Sequence, residues 1–346
     1  MKILVVATGF YDYGVALAGA FEKLGHQTKL VTMQMAPDDR KRRITNKIYK
    51  IRNRRIGKEL LYVSPAEWQK EESKKVLEAY KAYAPNLLVS FPAYDLTNDV
   101  IRAMDGCKKA IWIYDGVGNI PGIYQKVQLY DAVFVFEKSD VITLQSHGIK
   151  SFFLPLCADE RIYYNSKEKI KDIDISFVGK ISEDRYSILT ELVKYFPKLN
   201  MVFAGTYSRK IRLLQHILPS KRKELRIFTG ENINPKKANE LYNRSKICLN
   251  IHKSQSKYGG NMRLYETLAS GSFQITDENE YIKDEFSDSV ITFNDISDLK
   301  NKIDIYLTKE DERARIADIG YNKVMNNHLF INRAKFIIEK TMGDNA

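Results

Sequence analysis

The stretch Lys246-Ile247-Cys248-Leu249-Asn250-Ile251-His252-Lys253, a short loop, and then Tyr258-Gly259-Gly260-Asn261-Met262-Arg263-Leu264-Tyr265-Glu266-Thr267-Leu268-Ala269-Ser270-Gly271-Ser272-Phe273-Gln274-Ile275-Thr276-Asp277 carries the reading of this chain. It reads as a strand, a glycine-bearing loop, a helix, a glycine stop and a second strand. Gly259, Gly260 and Asn261 can bring backbone N–H groups close to an anion at the helix N-terminus. Arg263 falls in the first turn, where a cation opposes the helix dipole, so a bound phosphate is one partner for it. Glu266, one turn on among apolar residues, can accept two hydroxyl hydrogen bonds. The same pair at i,i+3 reads equally as a structural ion pair. Gly271 lets the chain turn tightly into the next strand.

Outward from this unit the alternation repeats. Strands are expected at Lys2–Ala7, Gln27–Thr32, 86–91, 109–114, Ala132–Phe136 and Ser151–Leu154, with helices at Tyr13–Leu24 and Pro65–Tyr83. The pattern restarts with strands at Ile173–Val178, Met201–Ala204, Leu225–Phe228, Lys246–Ile251, Ser272–Thr276 and Ser289–Phe293. Helices are expected at Arg185–Tyr195 and Tyr207–Leu218, and the chain beyond Asp295 is nearly all helical. Strand–helix alternation implies α/β architecture with parallel sheets covered on both faces. The aperiodic segment Leu156–Asn165 separates the two runs. We therefore expect an N-terminal domain over 1–157, a C-terminal domain over 158–328, and a closing segment over 329–346.

The chain has 346 residues, 44% hydrophobic and 28% charged, enough for two cores and unlike a disordered chain. No apolar run approaches the ~18–20 residues of a membrane span, and the N-terminus lacks a secretory pattern. The three cysteines are widely spaced, with no Cys-x-x-Cys and no His cluster, so buried thiols and no metal are expected. A cytoplasmic protein is the plain reading.

The net charge of +12 is uneven: residues 1–50 carry 9 basic against 4 acidic side chains, and residues 201–250 carry 11 against 3. The first excess concentrates in Arg40–Lys58, where Ile44, Ile48 and Ile51 fall at helical spacing on a very basic helix. This reads either as a solvated surface helix or as one drawn to an anionic membrane surface through Arg42, Arg43, Lys47, Lys50 and Arg54. Nucleic acid lacks support, because no zinc-finger spacing, RNP-type motif or helix-turn-helix accompanies the charge. There is no Gly-x-x-x-x-Gly-Lys-Ser/Thr, and no Gly-x-Gly-x-x-Gly follows the first strand, so nucleotide hydrolysis and classical dinucleotide binding lose support.

The spaced residues Asn261-x-Arg263-x-x-Glu266-x-x-Ala269-x-Gly271-x-Phe273 resemble the nucleotide-binding signature of group 1 glycosyltransferases, in particular the spore-maturation-protein (CgeB-like) branch. Asp174–Gly179 with Arg185, Glu240–Asn250, Glu312–Gly320, Trp112–Asp115 and Tyr130–Phe136 resemble other pieces of that branch in the same order. The resemblance covers roughly residues 108–338. It implies a GT-B fold, two Rossmann-like doubly wound domains facing a central cleft. It implies a metal-independent hexosyltransferase, without a cofactor, that uses a nucleotide-sugar donor by family habit based on UDP. Glu266 would take the ribose hydroxyls. Gly179, Lys180, Arg185, Gly260, Asn261 and Arg263 would lie around the diphosphate.

Many retaining members of that family have a Glu eight positions before the one at 266; here Tyr258 stands there. An inverting enzyme would need a base near the acceptor. Asp12, Asp95 and Asp115 each follow an expected strand and are candidates, as they are for ordinary turn chemistry. His252 follows a strand of the donor half and is a further catalytic candidate or a capped loop histidine. The expected function is sugar transfer to a surface-glycan or lipid-linked acceptor in polysaccharide biosynthesis, in the cytoplasm or peripheral on the inner membrane face. The alternatives are a non-catalytic glycosyltransferase-like partner subunit and a GT-B-fold nucleotide-sugar epimerase.

Overall fold

The β-branched runs form strands, and the central ones, such as Leu87–Ser90 and Ala132–Val135, are buried along their whole length, as the middle of a parallel sheet requires. The computed structural model describes residues 1–9, 12–34, 65–91, 93–166, 170–211, 228–252 and 258–343. The basic segment with Arg42, Arg43, Lys47, Lys50 and Arg54 lies outside the described residues, as do most of the helix expected at Tyr207–Leu218 and the first three residues of the strand expected at Leu225–Phe228. Phe228 itself makes only an isolated bridge to Phe203.

The described elements run in order β1 (Lys2–Thr8), α1 (Tyr13–Lys23), β2 (Gln27–Met33), α2 (Pro65–Tyr83), β3 (Leu87–Ser90), α3 (Asn98–Ala103), β4 (Lys108–Ile113), α4 (Ile123–Val127), β5 (Ala132–Val135), α5 (Lys138–Ser146) and β6 (Ser151–Phe153). They continue with β7 (Ile173–Val178), α6 (Glu183–Tyr195), β8 (Met201–Ala204), α7 (Pro235–Arg244), β9 (Ser245–Asn250), α8 (Met262–Ala269), β10 (Gln274–Asp277), α9 (Glu280–Phe286), β11 (Ile291–Phe293), α10 (Ile296–Thr308), α11 (Glu310–Asn327) and α12 (Phe330–Met342). The chain divides into two units, one of Met1–Val135, Asp140–Leu154 and Ala334–Ala346, the other of Phe136–Ser139 and Pro155–Arg333.

The first unit holds a six-stranded sheet in the order β2-β1-β3-β4-β5-β6, parallel throughout. One core joins Leu4, Val6, Leu88, Ile111, Ile113, Val133 and Val135 to Val76 of α2 and Leu144 of α5. Phe336 of α12 packs edge-on against Phe134 and Phe152. The second unit holds a five-stranded sheet in the order β11-β10-β9-β7-β8, also parallel. Its core joins Ile175, Phe177, Ile247, Leu249, Ile275 and Phe293 to Leu189, Leu192, Leu299, Ile303 and Ile316. Non-adjacent order places helices on both faces of each sheet and aligns the carboxyl ends of β7, β8, β9 and β10 along one edge.

Within the second unit the segment after Leu154 is anchored by Arg333. Its guanidinium donates to the carbonyls of Pro155 at 2.7 Å, Leu156 at 2.9 Å and Asn327 at 3.0 Å, and to His328 Nδ1 at 2.7 Å. Burial, then the charges of Arg333 and Lys323, push the His328 pKa down to about 3. Glu285 Oε1, 3.4 Å from Nε2, opposes this shift. His328 is thus neutral when folded. The unfolded chain takes up that proton first as pH falls, so stability drops between the ordinary histidine pKa of about 6.5 and about 3. Urea midpoints at about pH 7 and about pH 4.5 should show that loss in the parent chain and a smaller one in His328→Gln.

Candidate functional site

The carboxyl edge of the second sheet is built around two glycines. Gly179 follows β7 with φ +152° and Gly205 follows β8 with φ +153°. The Gly179 N–H donates to Ala204 O at 2.8 Å, and a Cβ on Gly205 would fall 1.8 Å from Gly179 O. The two turns therefore pack backbone on backbone, and side chains are excluded from both. A Cβ on Gly179 would fall 2.7 Å from Arg263 Nε, so the guanidinium of Arg263 lies over the bare turn.

Arg263 is the second residue of α8 and is half-buried. Among the described residues no ion pair joins it to Glu266 or to another carboxylate. Arg185 is buried and donates to the carbonyls of Lys180 at 2.9 Å and of Ile251, tying the end of β7 to the end of β9. Burial, and next the charge of Arg263, lower its pKa to about 10. Lys180 beside them is exposed. Two guanidiniums that repel each other, with an exposed ammonium nearby, make an edge that favours an anion. Glu266, one turn along α8, is buried; burial and then its charge raise the pKa of the Tyr242 phenol.

Asn261 has a different task from the one expected of a ligand-binding residue. It is the N-cap of α8: Oδ1 accepts the Leu264 N–H at 3.2 Å, Nδ2 donates to Asn250 Oδ1 at 2.8 Å, and its own N–H donates to His252 Nε2 at 3.3 Å. All its polar side-chain atoms and its N–H are used within the protein. His252, only 7% exposed, meets Asp277 through its backbone N–H at 2.8 and 3.0 Å and through Nδ1 at 2.8 Å. Because Nε2 accepts, Nδ1 carries the proton and donates to the carboxylate. Burial alone would raise the Asp277 pKa, but the His252 hydrogen bonds win and hold it below the ordinary carboxylate range. Gly260 is buried, and a Cβ there would meet Leu264 Cδ2 at 2.6 Å.

The acidic candidates belong to the first unit. Asp12 has φ +57° and its carbonyl accepts the N–H groups of Val15 and Ala16, opening α1; its side chain is exposed. Asp95 is exposed and Asp115 half-buried. Burial and then the Asp115 charge raise the Tyr114 pKa to about 12. Among the described residues no group of three His, Cys, Asp or Glu side chains could hold a metal ion. Asp277 and Gly205 carried no role in the sequence reading, although each follows or ends a strand at this edge.

Residues 185–339 match the family model described as "Glycosyl transferase-like". No curated protein matches the chain. Among solved structures, a sucrose-phosphate synthase from Thermosynechococcus elongatus aligns over 97% of both chains at 12% identity with a TM-score of 0.64. Anabaena HepE in complex with UDP aligns over 98% of this chain and 99% of its own, at 12% identity and TM-score 0.64. A glycosyltransferase from Rickettsia africae aligns over 100% and 99%, at 13% identity and TM-score 0.66. These likenesses show the fold, two parallel sheets with alternating helices in the GT-B class.

The geometry assigns Asn261 a stability that needs no ligand. Asn261→Ala should cost about 0.5–2 kcal/mol as a lost helix cap, and Asn261→Asp should keep that cap while losing the donation to Asn250 Oδ1. Denaturant midpoints of the ligand-free chain measure both.

Proposed function

We propose that this chain is a GT-B glycosyltransferase, of the CgeB-like branch that its motifs resemble, transferring a sugar from a UDP-sugar to a surface-glycan or lipid-linked acceptor. The observation that carries this reading is the Arg263 guanidinium, laid over Gly179 beside Arg185 with no ion pair among the described residues. Charge builds on the diphosphate as the sugar leaves, and fixed cations at that place stabilise it. Glu266 would accept the ribose hydroxyls, and Lys180 and Gly260 would border the phosphates. No metal or resident cofactor takes part in this reading. Asp12 and Asp115 are the candidate bases on the acceptor side. The complex of HepE with UDP, a fold neighbour, supports the choice of nucleotide.

Tyr258, in place of the first Glu of the family pattern, favours a second reading as a non-catalytic partner subunit; loss of donor in the presence of acceptor glycan separates the two. In a thermal-shift series, a UDP-sugar at about 100 times its Kd should add about 2.7 kcal/mol to the stability of the parent chain. Arg263→Ala and Glu266→Ala should each lose most of that shift, and retention of it by Glu266→Ala removes Glu266 from the donor site.

We place the protein on the inner face of the membrane through its basic segment. It should sediment with anionic vesicles at low salt and lose them when Arg42, Arg43, Lys47, Lys50 and Arg54 are replaced by Gln.

A further inference from the structure

The hydrogen bonds at position 258 single out a residue that lies in none of the donor motifs. The Tyr258 phenol donates to Asp284 Oδ2 at 3.0 Å, and the Lys138 ammonium sits 4.2 Å from the centre of its ring. The side chain at the place of the missing Glu is therefore occupied in packing. A carboxylate nevertheless reaches this place, from 121 residues away. Phe136–Ser139 belongs to the second unit, and Glu137 within it is 5% exposed. Its Oε1 accepts the backbone N–H of Tyr258 at 2.5 Å, and the Lys138 N–H donates to Tyr258 O at 3.1 Å. Both polar backbone atoms of Tyr258 are thus held by one short segment.

The approach is close enough to dictate the next residue. A Cβ on Gly259 would meet Phe136 O at 2.6 Å and Glu137 Oε2 at 3.2 Å. Downstream, Asn279 Nδ2 donates to Gly259 O at 3.2 Å and His252 takes the Asn261 N–H. Residues 258–261, which lead into α8, are held at Tyr258 by Glu137 and at Asn261 by His252. A carboxylate is costly to bury, and an ionised acceptor holds an N–H about twice as strongly as a neutral one.

We propose that Glu137 is a positioning residue of the donor site. It acts through the backbone of Tyr258 to hold 258–261 where α8 can present Arg263 to the donor diphosphate. This rests on the donor-site reading above.

The test uses the full chain with UDP as probe in calorimetry, together with amide hydrogen exchange over 258–261. Glu137→Ala should speed exchange in that loop and raise the Kd for UDP by about tenfold or more. Glu137→Gln, which keeps an acceptor oxygen but loses the charge, should raise the Kd about threefold with its thermal midpoint near that of the parent. Unchanged exchange, or faster exchange with unchanged Kd, in a folded Glu137→Ala overturns the proposal. If the alanine variant does not fold, an unchanged Kd in Glu137→Gln overturns it. A parent chain that binds neither UDP nor a UDP-sugar removes the donor reading itself, and this proposal with it.

Discussion

The contact between Gly179 and Gly205 is the constraint on which the carboxyl edge of the second sheet depends. Both φ angles lie near +150°, which strains any side chain; a Cβ on Gly205 would also fall on the Gly179 carbonyl, and one on Gly179 would displace the Arg263 guanidinium. The space left above Gly179 is filled by a guanidinium. Arg185 then fixes the same turn by binding the carbonyls of Lys180 and Ile251. A cation held by carbonyls keeps its charge, so Arg185 secures the turn and contributes to the field beside Arg263. The depressed Arg185 pKa records burial first and the neighbouring cation second.

A second set of contacts separates residues that build the edge from residues left to a ligand. Asp277, His252, Asn261 and Asn250 form a continuous run of hydrogen bonds from β10 to the N-terminus of α8 and back to β9. Each bond is made inside the protein, so the run orders Asn261 and the start of α8 in advance of any ligand. Preorganised groups bind without further ordering cost. The charged side chains of Arg263 and Lys180 lie outside this run.

The fold was legible in the sequence because burial on both faces leaves a plain mark in β-branched runs. Pro65–Tyr83, Ile173–Val178 and Met201–Ala204 have the bounds that periodicity implies. Where bounds differ, side chains intervene. Ser272, expected to begin a strand, donates its hydroxyl to Tyr242 O and its N–H to Thr267 O, so the ladder starts at Gln274. The strand expected from Ser289 starts at Ile291 because the Ser289 N–H closes a turn on Phe286 O. The site was legible only in part. Arg263 and Glu266 stand out in a local pattern, but that pattern left open whether they pair with each other. The choice rests on Gly179, 84 positions before Arg263 along the numbered chain. The Glu137 carboxylate on Tyr258 and the His252 ring on Asp277 likewise join segments that no local period relates.

His252 shows why spacing alone overstates chemistry. A histidine after a strand of the second unit is a natural candidate for proton transfer. Here the Asp277 carboxylate accepts the Nδ1–H hydrogen bond and fixes the tautomer, while Nε2, the atom that would accept a proton, already accepts the Asn261 N–H. Protonating Nε2 would turn an acceptor toward a donor and break its bond to the Asn261 N–H. A base that must dismantle its own site to work is a poor base. The histidine is therefore read as part of the frame that holds Arg263 in place. The acid–base candidates that remain are carboxylates, and Asp12 and Asp115 stand on the other unit, after β1 and β4.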